Sequence, residues 1–208
     1  MPSDMSPEMS TDDGPLIIHR RAGQPPRRVP RRLMGEFLEE VTRRVARGRG
    51  IVCLITNDGE LRRLNRQFLG KDYATDVLSF PAGDGLAKAL PDGRASKGRG
   101  SLGEIAISID RAAAQAKEHG HSLGDELRIL MLHGVLHLAG FDHEKDSGEM
   151  RDTETRWRKR FGLPAGLIER ETARHTVQPR VQRAIQIQHM KQSIGPPSVR
   201  ARRGRAQP

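Results

Sequence analysis

Apolar positions along this chain follow two spacings, one of two residues and one of three to four, and the change between them marks the elements. LIIHR at 16–20 and IVCLI at 51–55 are short apolar runs that predict strands, the second a buried one. Between them Leu33, Phe37, Val41 and Val45 recur at helical spacing, which predicts an amphipathic helix from about Arg31 to Arg47, ended by Gly48 and Gly50. Asn57 or Asp58 can cap a second helix through Leu61, Leu64 and Phe68 to Gly70. TDVLSFP at 75–81 predicts a strand closed by Pro81, and LGEIAISI at 102–109 alternates as a further strand. The segment 82–100, rich in Gly and without periodicity, reads as a long loop.

Asp110 is the expected cap of an Ala-rich helix that stops at Gly120. Ser122 with Asp125 or Glu126 then opens a central helix carrying Leu127, Leu130, Met131, Val135 and Leu138 and stopping at Gly140. A last helix from about Ser147 to Phe161 has an apolar stripe of Met150, Trp157 and Phe161 and ends before Gly162 and Pro164. Four strands and about five helices in this order predict a single α+β domain from about 15 to 165. No internal repeat is visible. Residues 1–14 read as a disordered polar extension and 166–208 as a basic, disordered tail.

Charge refines this outline. The net charge of +10 is concentrated: eight basic and no acidic residues follow Thr172, and ten Arg against three Glu lie between residues 20 and 49. Such clusters fit a polyanionic partner, although a tail of this kind also fits a solubility role or a GC-rich genome. No apolar h-region follows a basic start and no run is long enough to span a bilayer, so neither a secretory signal nor a membrane span is expected. The lone Cys53 sits in a strand, and the expected compartment is the reducing cytoplasm. Aromatic content of 3% leaves no extended base-stacking platform, so recognition of nucleic acid would rest on backbone charge and cleft shape.

The candidate chemistry lies in HGVLHLAGFDH. His133 and His137, four apart in a helix, point from one face, and Gly140 lets the chain turn so that His143 can return to the same point. Three neutral imidazoles with a fourth position open is the donor set of a catalytic zinc ion. Zinc peptidases share the spacing but place Glu after the first His as general base; here that residue is Gly134. What remains is one zinc ion able to lower the pKa of bound water to about 7, giving a nucleophile for a phosphodiester where nearby cations stabilise the charge that develops.

LNRQFLGKDYATDVLSFP at 64–81, LGEIAIS at 102–108 and HGVLHLAGFDH at 133–143 closely resemble the YbeY endoribonuclease family of bacterial rRNA maturation factors. The resemblance implies a compact domain with a central mixed sheet and a metal at one end of a cleft. It also implies a zinc-dependent, single-strand-specific endoribonuclease acting on 16S rRNA 3′ ends and in ribosome quality control. The expected partners are single-stranded and ribosomal RNA and the ribosome or its proteins, with no membrane. The implied metal ligands are His133, His137 and His143. Members commonly carry Arg immediately before Gly-Lys-Asp, where this chain has Leu69; Lys71 is the candidate cation in its place.

Four further residues have expected places. Asp142 is expected to fix the 140–143 corner or to orient a ligand imidazole. Glu104 is placed at a cleft edge or in an ion pair, and His119 and His121 at the last carbonyls of their helix. The alternative to catalysis is an RNA-binding assembly factor whose zinc is structural.

Overall fold

The computed structural model describes residues 15–18, 29–83, 100–168, 170 and 186–187. The expectations for the extension at 1–14, for most of the 82–100 loop and for most of the tail lie outside these residues. The elements are β1 (Leu16–Ile18), α1 (Arg31–Arg44), β2 (Gly50–Thr56), α2 (Asp58–Leu69), β3 (Val77–Pro81) and β4 (Ser101–Ser108). They continue with α3 (Ile109–His119), α4 (Leu123–Leu138), α5 (Glu149–Arg160) and β5 (Gln186–Ile187).

The sheet is mixed, in the order β1-β2-β4-β3-β5. β1 and β2 run parallel to β4, while β3 pairs with β4 antiparallel. Four strands form the domain sheet, and the two-residue β5, from the tail region, adds parallel to the outer edge of β3. The layers follow from the pleat, because alternate side chains leave opposite faces. Cys53, Ile55, Val77, Ile105 and Ile107 meet α1, α3, α4 and α5 on one face. Ile17, Leu54, Leu78, Phe80 and Ala106 meet Leu61 and Leu64 of α2 on the other.

Two positions depart from the sequence pattern. Alternation in LGEIAIS suggests one wet face, yet every residue of β4 is buried, because β4 is flanked by strands and covered by helices on both sides. Ser108, and not Asp110, caps α3: its hydroxyl accepts the Arg111 N–H at 3.2 Å. The Asp110 carboxylate instead accepts the Asp58 N–H at the start of α2, so it joins two helices. The caps at Asn57 and Ser122 are as the sequence predicts, accepting from the N–H groups of Glu60 and Asp125.

α4 positions the functional end of the fold. It is apolar almost all round, so it is buried between the sheet and the other helices and not laid on the surface by one stripe. Its close approach to the sheet depends on Gly103. β4 carries one extra residue there, since Gly50 faces Ser101 while Ile51 faces Gly103. Gly103 has φ +145°, and a Cβ on it would lie 2.2 Å from the Phe80 carbonyl oxygen and 2.9 Å from a Leu138 methyl. The bulge therefore seats the last turn of α4 against β3 and β4. Gly103→Ala is expected to lower stability by about 1–3 kcal/mol, read as a reduced melting temperature, because backbone and not a flexible side chain must move.

Candidate metal centre

His133 and His137 leave α4 one turn apart, as i, i+4 geometry requires. The helix ends at Leu138, the Gly140 N–H bonds back to the His137 carbonyl, and the Phe141 N–H to that of Leu136. Gly140, at φ +99°, permits this reversal, and His143 comes round to face the other two. One nitrogen from each ring lies within 4.8 Å of the other two. His133 is fully buried, His137 nearly so and His143 half-buried, beside an open hollow lined by Gly140, Phe141, Asp142 and Lys145.

The hydrogen bonds behind the rings decide what the front of the site can hold. His133 Nδ1 lies 2.9 Å from Glu154 Oε1, and His137 Nδ1 lies 3.0 Å from the Phe141 carbonyl oxygen. Both partners are acceptors, so each Nδ1 carries the proton and each Nε2 is a bare lone pair. Those two Nε2 atoms are only 2.8 Å apart. Two lone pairs repel and cannot hydrogen-bond, whereas a cation placed among them satisfies both. His143 Nε2 is likewise buried without a hydrogen-bond partner. A divalent metal ion fits this donor set, and among the described residues the convergent group stops at three ligands, which leaves a coordination position for water or substrate.

Burial holds the two helical imidazoles in their ligand form. His133 is pushed down to about 3, chiefly by loss of solvent and next by the neighbouring His143. His137 is pushed down to about 2, again by burial first and then by the other two rings.

Glu154 is the residue that the sequence reading missed. It lies on the stripe of Met150, Trp157 and Phe161 and is 1% exposed, and a carboxylate on an apolar stripe was the available signal. It fixes the His133 tautomer, as acidic partners of metal-bound histidines do. Residues beyond 165 hold it in turn. The Ile168 N–H donates to Glu154 Oε2 at 3.3 Å, and a Cβ on Gly166 would meet that oxygen at 2.7 Å. Arg170 makes a buried ion pair with Glu126 of α4, so the described fold runs on to at least Arg170.

The other candidates are placed as follows. Asp142 takes the Glu144 N–H and pairs with Lys145 at 2.6 Å, so it fixes the corner that presents His143. Glu104 is buried in β4 opposite Val52 and Phe80, on the α2 side of the sheet and away from α4. It is not at a solvent-facing cleft edge. His121 Nε2 lies 2.6 Å from Glu126 Oε2 and the ring stacks on His119, so it hydrogen-bonds a buried carboxylate and not the helix carbonyls. Lys71 is exposed on the loop after α2, outside the convergent group, with its N–H on the Asn65 carbonyl. Leu69 packs at the margin of the α2-side core.

Gly134 settles the peptidase comparison sterically. A Cβ there would lie 3.0 Å from Ile105 and 3.2 Å from both Ser79 and Val77. The position points into the sheet, so a carboxylate at 134 could not reach the metal side of the helix.

Two outcomes follow from this electrostatics. Unfolded His133 and His137 take up protons below about 6.5, while the folded, metal-free state resists until about 3 and 2. The unfolded state therefore binds more protons, and the metal-free protein loses stability as pH falls below 6.5. Melting of chelator-treated protein between pH 7.5 and pH 4 (about half-unit steps) checks this, with a shallower slope expected for His137→Ala. Glu154→Gln should weaken zinc affinity by about 10- to 100-fold in a competitive chelator titration.

Known proteins resemble this chain over most of its described length. The profile of the family described as endoribonuclease YbeY matches residues 27–162. A protein of that name from Solibacter usitatus is 50% identical over 162 residues, covering 78% of this chain and 98% of its own. Another from Koribacter versatilis is 54% identical over 131 residues, covering 62% of this chain and 77% of its own. Among solved structures, the solution structure of TM1509 from Thermotoga maritima is 26% identical with a TM-score of 0.43, covering 68% of this chain and 85% of that one. With the family profile spanning all three histidines and a half-identical relative matched almost end to end, this chain belongs to the YbeY endoribonuclease family.

Proposed function

We propose that this protein is a zinc-dependent, single-strand-specific endoribonuclease acting on the 3′ end of 16S rRNA and in ribosome quality control. The observation that carries the reading is the group of three imidazole donors, two of them locked as bare Nε2 lone pairs, with no fourth protein ligand among the described residues. That arrangement favours chemistry over a purely structural metal, and family membership supplies the reaction class. Substrate is single-stranded RNA, with ribosomal RNA and ribosomal proteins as its setting.

When bound, the ion supplies Lewis acidity to a phosphoryl oxygen and lowers the pKa of water at the open position. The chain's own residues do the rest. Glu154 and the Phe141 carbonyl hold the two helical rings, and the Asp142 corner presents the third. No side chain at 134 is available to take a proton.

Developing negative charge needs a cation, and Leu69 is not one. Lys71 is our candidate. On α2 and its following loop, Arg62 is committed to Asp72 at 2.7 Å and Arg63 to Glu60 at 2.6 Å, while Arg66 lies 3.8 Å from Asp72. Lys71 makes no ion pair among the described residues, and Asn65 anchors its loop through the Tyr73 carbonyl. Its ammonium is thus available to a phosphate.

Cleavage of a short ribosomal RNA 3′-end substrate tests the reading. Wild type should cut it, and both a chelator and His137→Ala should abolish cutting. Persistence of equal cleavage in His137→Ala would overturn the assignment. Lys71→Ala should lower kcat by roughly tenfold or more with zinc content unchanged.

A further inference from the structure

We propose that the last turn of α1 and the turn joining it to β2 form a docking strip for the phosphate backbone of single-stranded RNA, with Arg43, Arg47 and Arg49 as its phosphate-binding groups. The proposal rests on the nuclease reading above and concerns how substrate is held beside the metal centre.

The first observation is charge left over after pairing. On α1, Arg32 is neutralised by Glu36 at 2.7 Å and Arg44 by Glu40 at 2.9 Å. Arg43 reaches Glu40 only at 4.0 Å, an acid already held by Arg44. Arg47 makes no ion pair among the described residues, and Arg49 donates only to a neutral acceptor, the Ser101 carbonyl at 3.0 Å. Three exposed guanidinium groups within seven residues therefore keep their charge. Phosphate suits them, since a guanidinium fork donates two hydrogen bonds to it.

The second observation is backbone conformation. Arg47 has φ +56°, the one non-glycine residue with positive φ among those described. A helix is leaving its axis there, and glycine is the residue that takes this conformation freely. Gly48 follows at φ +77°, so the turn has two left-handed positions in a row, and the first of them carries a long cation and not a second glycine. No interaction of the Arg47 side chain within the described fold accounts for that choice.

The third observation is placement. Gly50 donates to the Gly100 carbonyl, and Ile51 pairs with Gly103, the residue against which Leu138 packs. Leu138 directly follows the ligand His137. The arginine turn and the metal-bearing end of α4 thus sit at the same end of the sheet. An RNA strand with one phosphate at the metal could run its neighbouring phosphates over the turn.

The contribution expected is electrostatic and indifferent to sequence. Removing one arginine–phosphate pair should reduce the slope of log affinity against log salt by about 0.7 for a single strand. The test uses the zinc-loaded full chain and a fluorescently labelled, unstructured RNA kept cold, with its integrity checked on a denaturing gel. Anisotropy is measured across a salt series for wild type, Arg47→Gly, Arg47→Lys and Arg43→Gln/Arg47→Gly. Arg47→Gly should melt no lower than wild type and keep its zinc, yet bind RNA several-fold more weakly with a shallower slope. Arg47→Lys should retain the slope, and the double variant should show about twice the reduction of Arg47→Gly. Wild-type affinity and slope in Arg47→Gly would overturn the strip while leaving the nuclease reading intact. Failure of the wild type itself to bind or cut RNA would instead overturn that reading, and the strip with it.

Discussion

Two imidazole nitrogens 2.8 Å apart, each with its proton drawn to an acceptor behind it, impose the constraint around which the rest of this protein is arranged. Such a pair is unfavourable unless a cation lies among the lone pairs. The fold holds it by burying α4 nearly all round, so that neither ring can swing out to water. Burial also keeps the rings neutral, which is the state a metal requires. The same desolvation that weakens the metal-free protein in acid thus prepares the ligands.

The support extends outward in identifiable steps. Glu154 holds His133, the Ile168 N–H and the close approach of Gly166 hold Glu154, and Arg170 ties that segment back to Glu126 on the ligand-bearing helix. A buried Arg–Glu pair is not a strong source of stability, because desolvation offsets its attraction. Its value here is geometric: α4 and the segment after α5 are fixed relative to each other. The family profile ends at residue 162, so this part of the support lies beyond the stretch that the profile matches.

Charge is distributed by the same logic. Helices α1 and α2 are rich in arginine, yet most of it is neutralised by acids one turn away or on the adjoining loop. Among the described residues of α1, α2 and the connections after them, Lys71 and the arginines Arg43, Arg47 and Arg49 are left without an acid of their own, and they sit at or beside connections between elements. Loops carry function because a rigid scaffold can present them without committing their side chains to packing. A net positive chain therefore need not be uniformly sticky toward polyanions.

Within the sequence, whatever depends on near neighbours was legible. The H-x3-H-x2-G-x2-H spacing specified three ligands, the strand and helix periods specified four domain strands and the helices around them, and Asn57 and Ser122 announced two helix starts. These are properties of a few consecutive residues and of backbone geometry. Tertiary structure alone decided the rest. Glu154 stands 21 residues from His133, and only the packing of α5 on α4 brings them together. The burial of both faces of β4, the inward aim of Gly134 and the removal of Glu104 to the far side of the sheet all depend on which strands are neighbours. Strand order arises from pairings between residues far apart in the chain, and no local period encodes it.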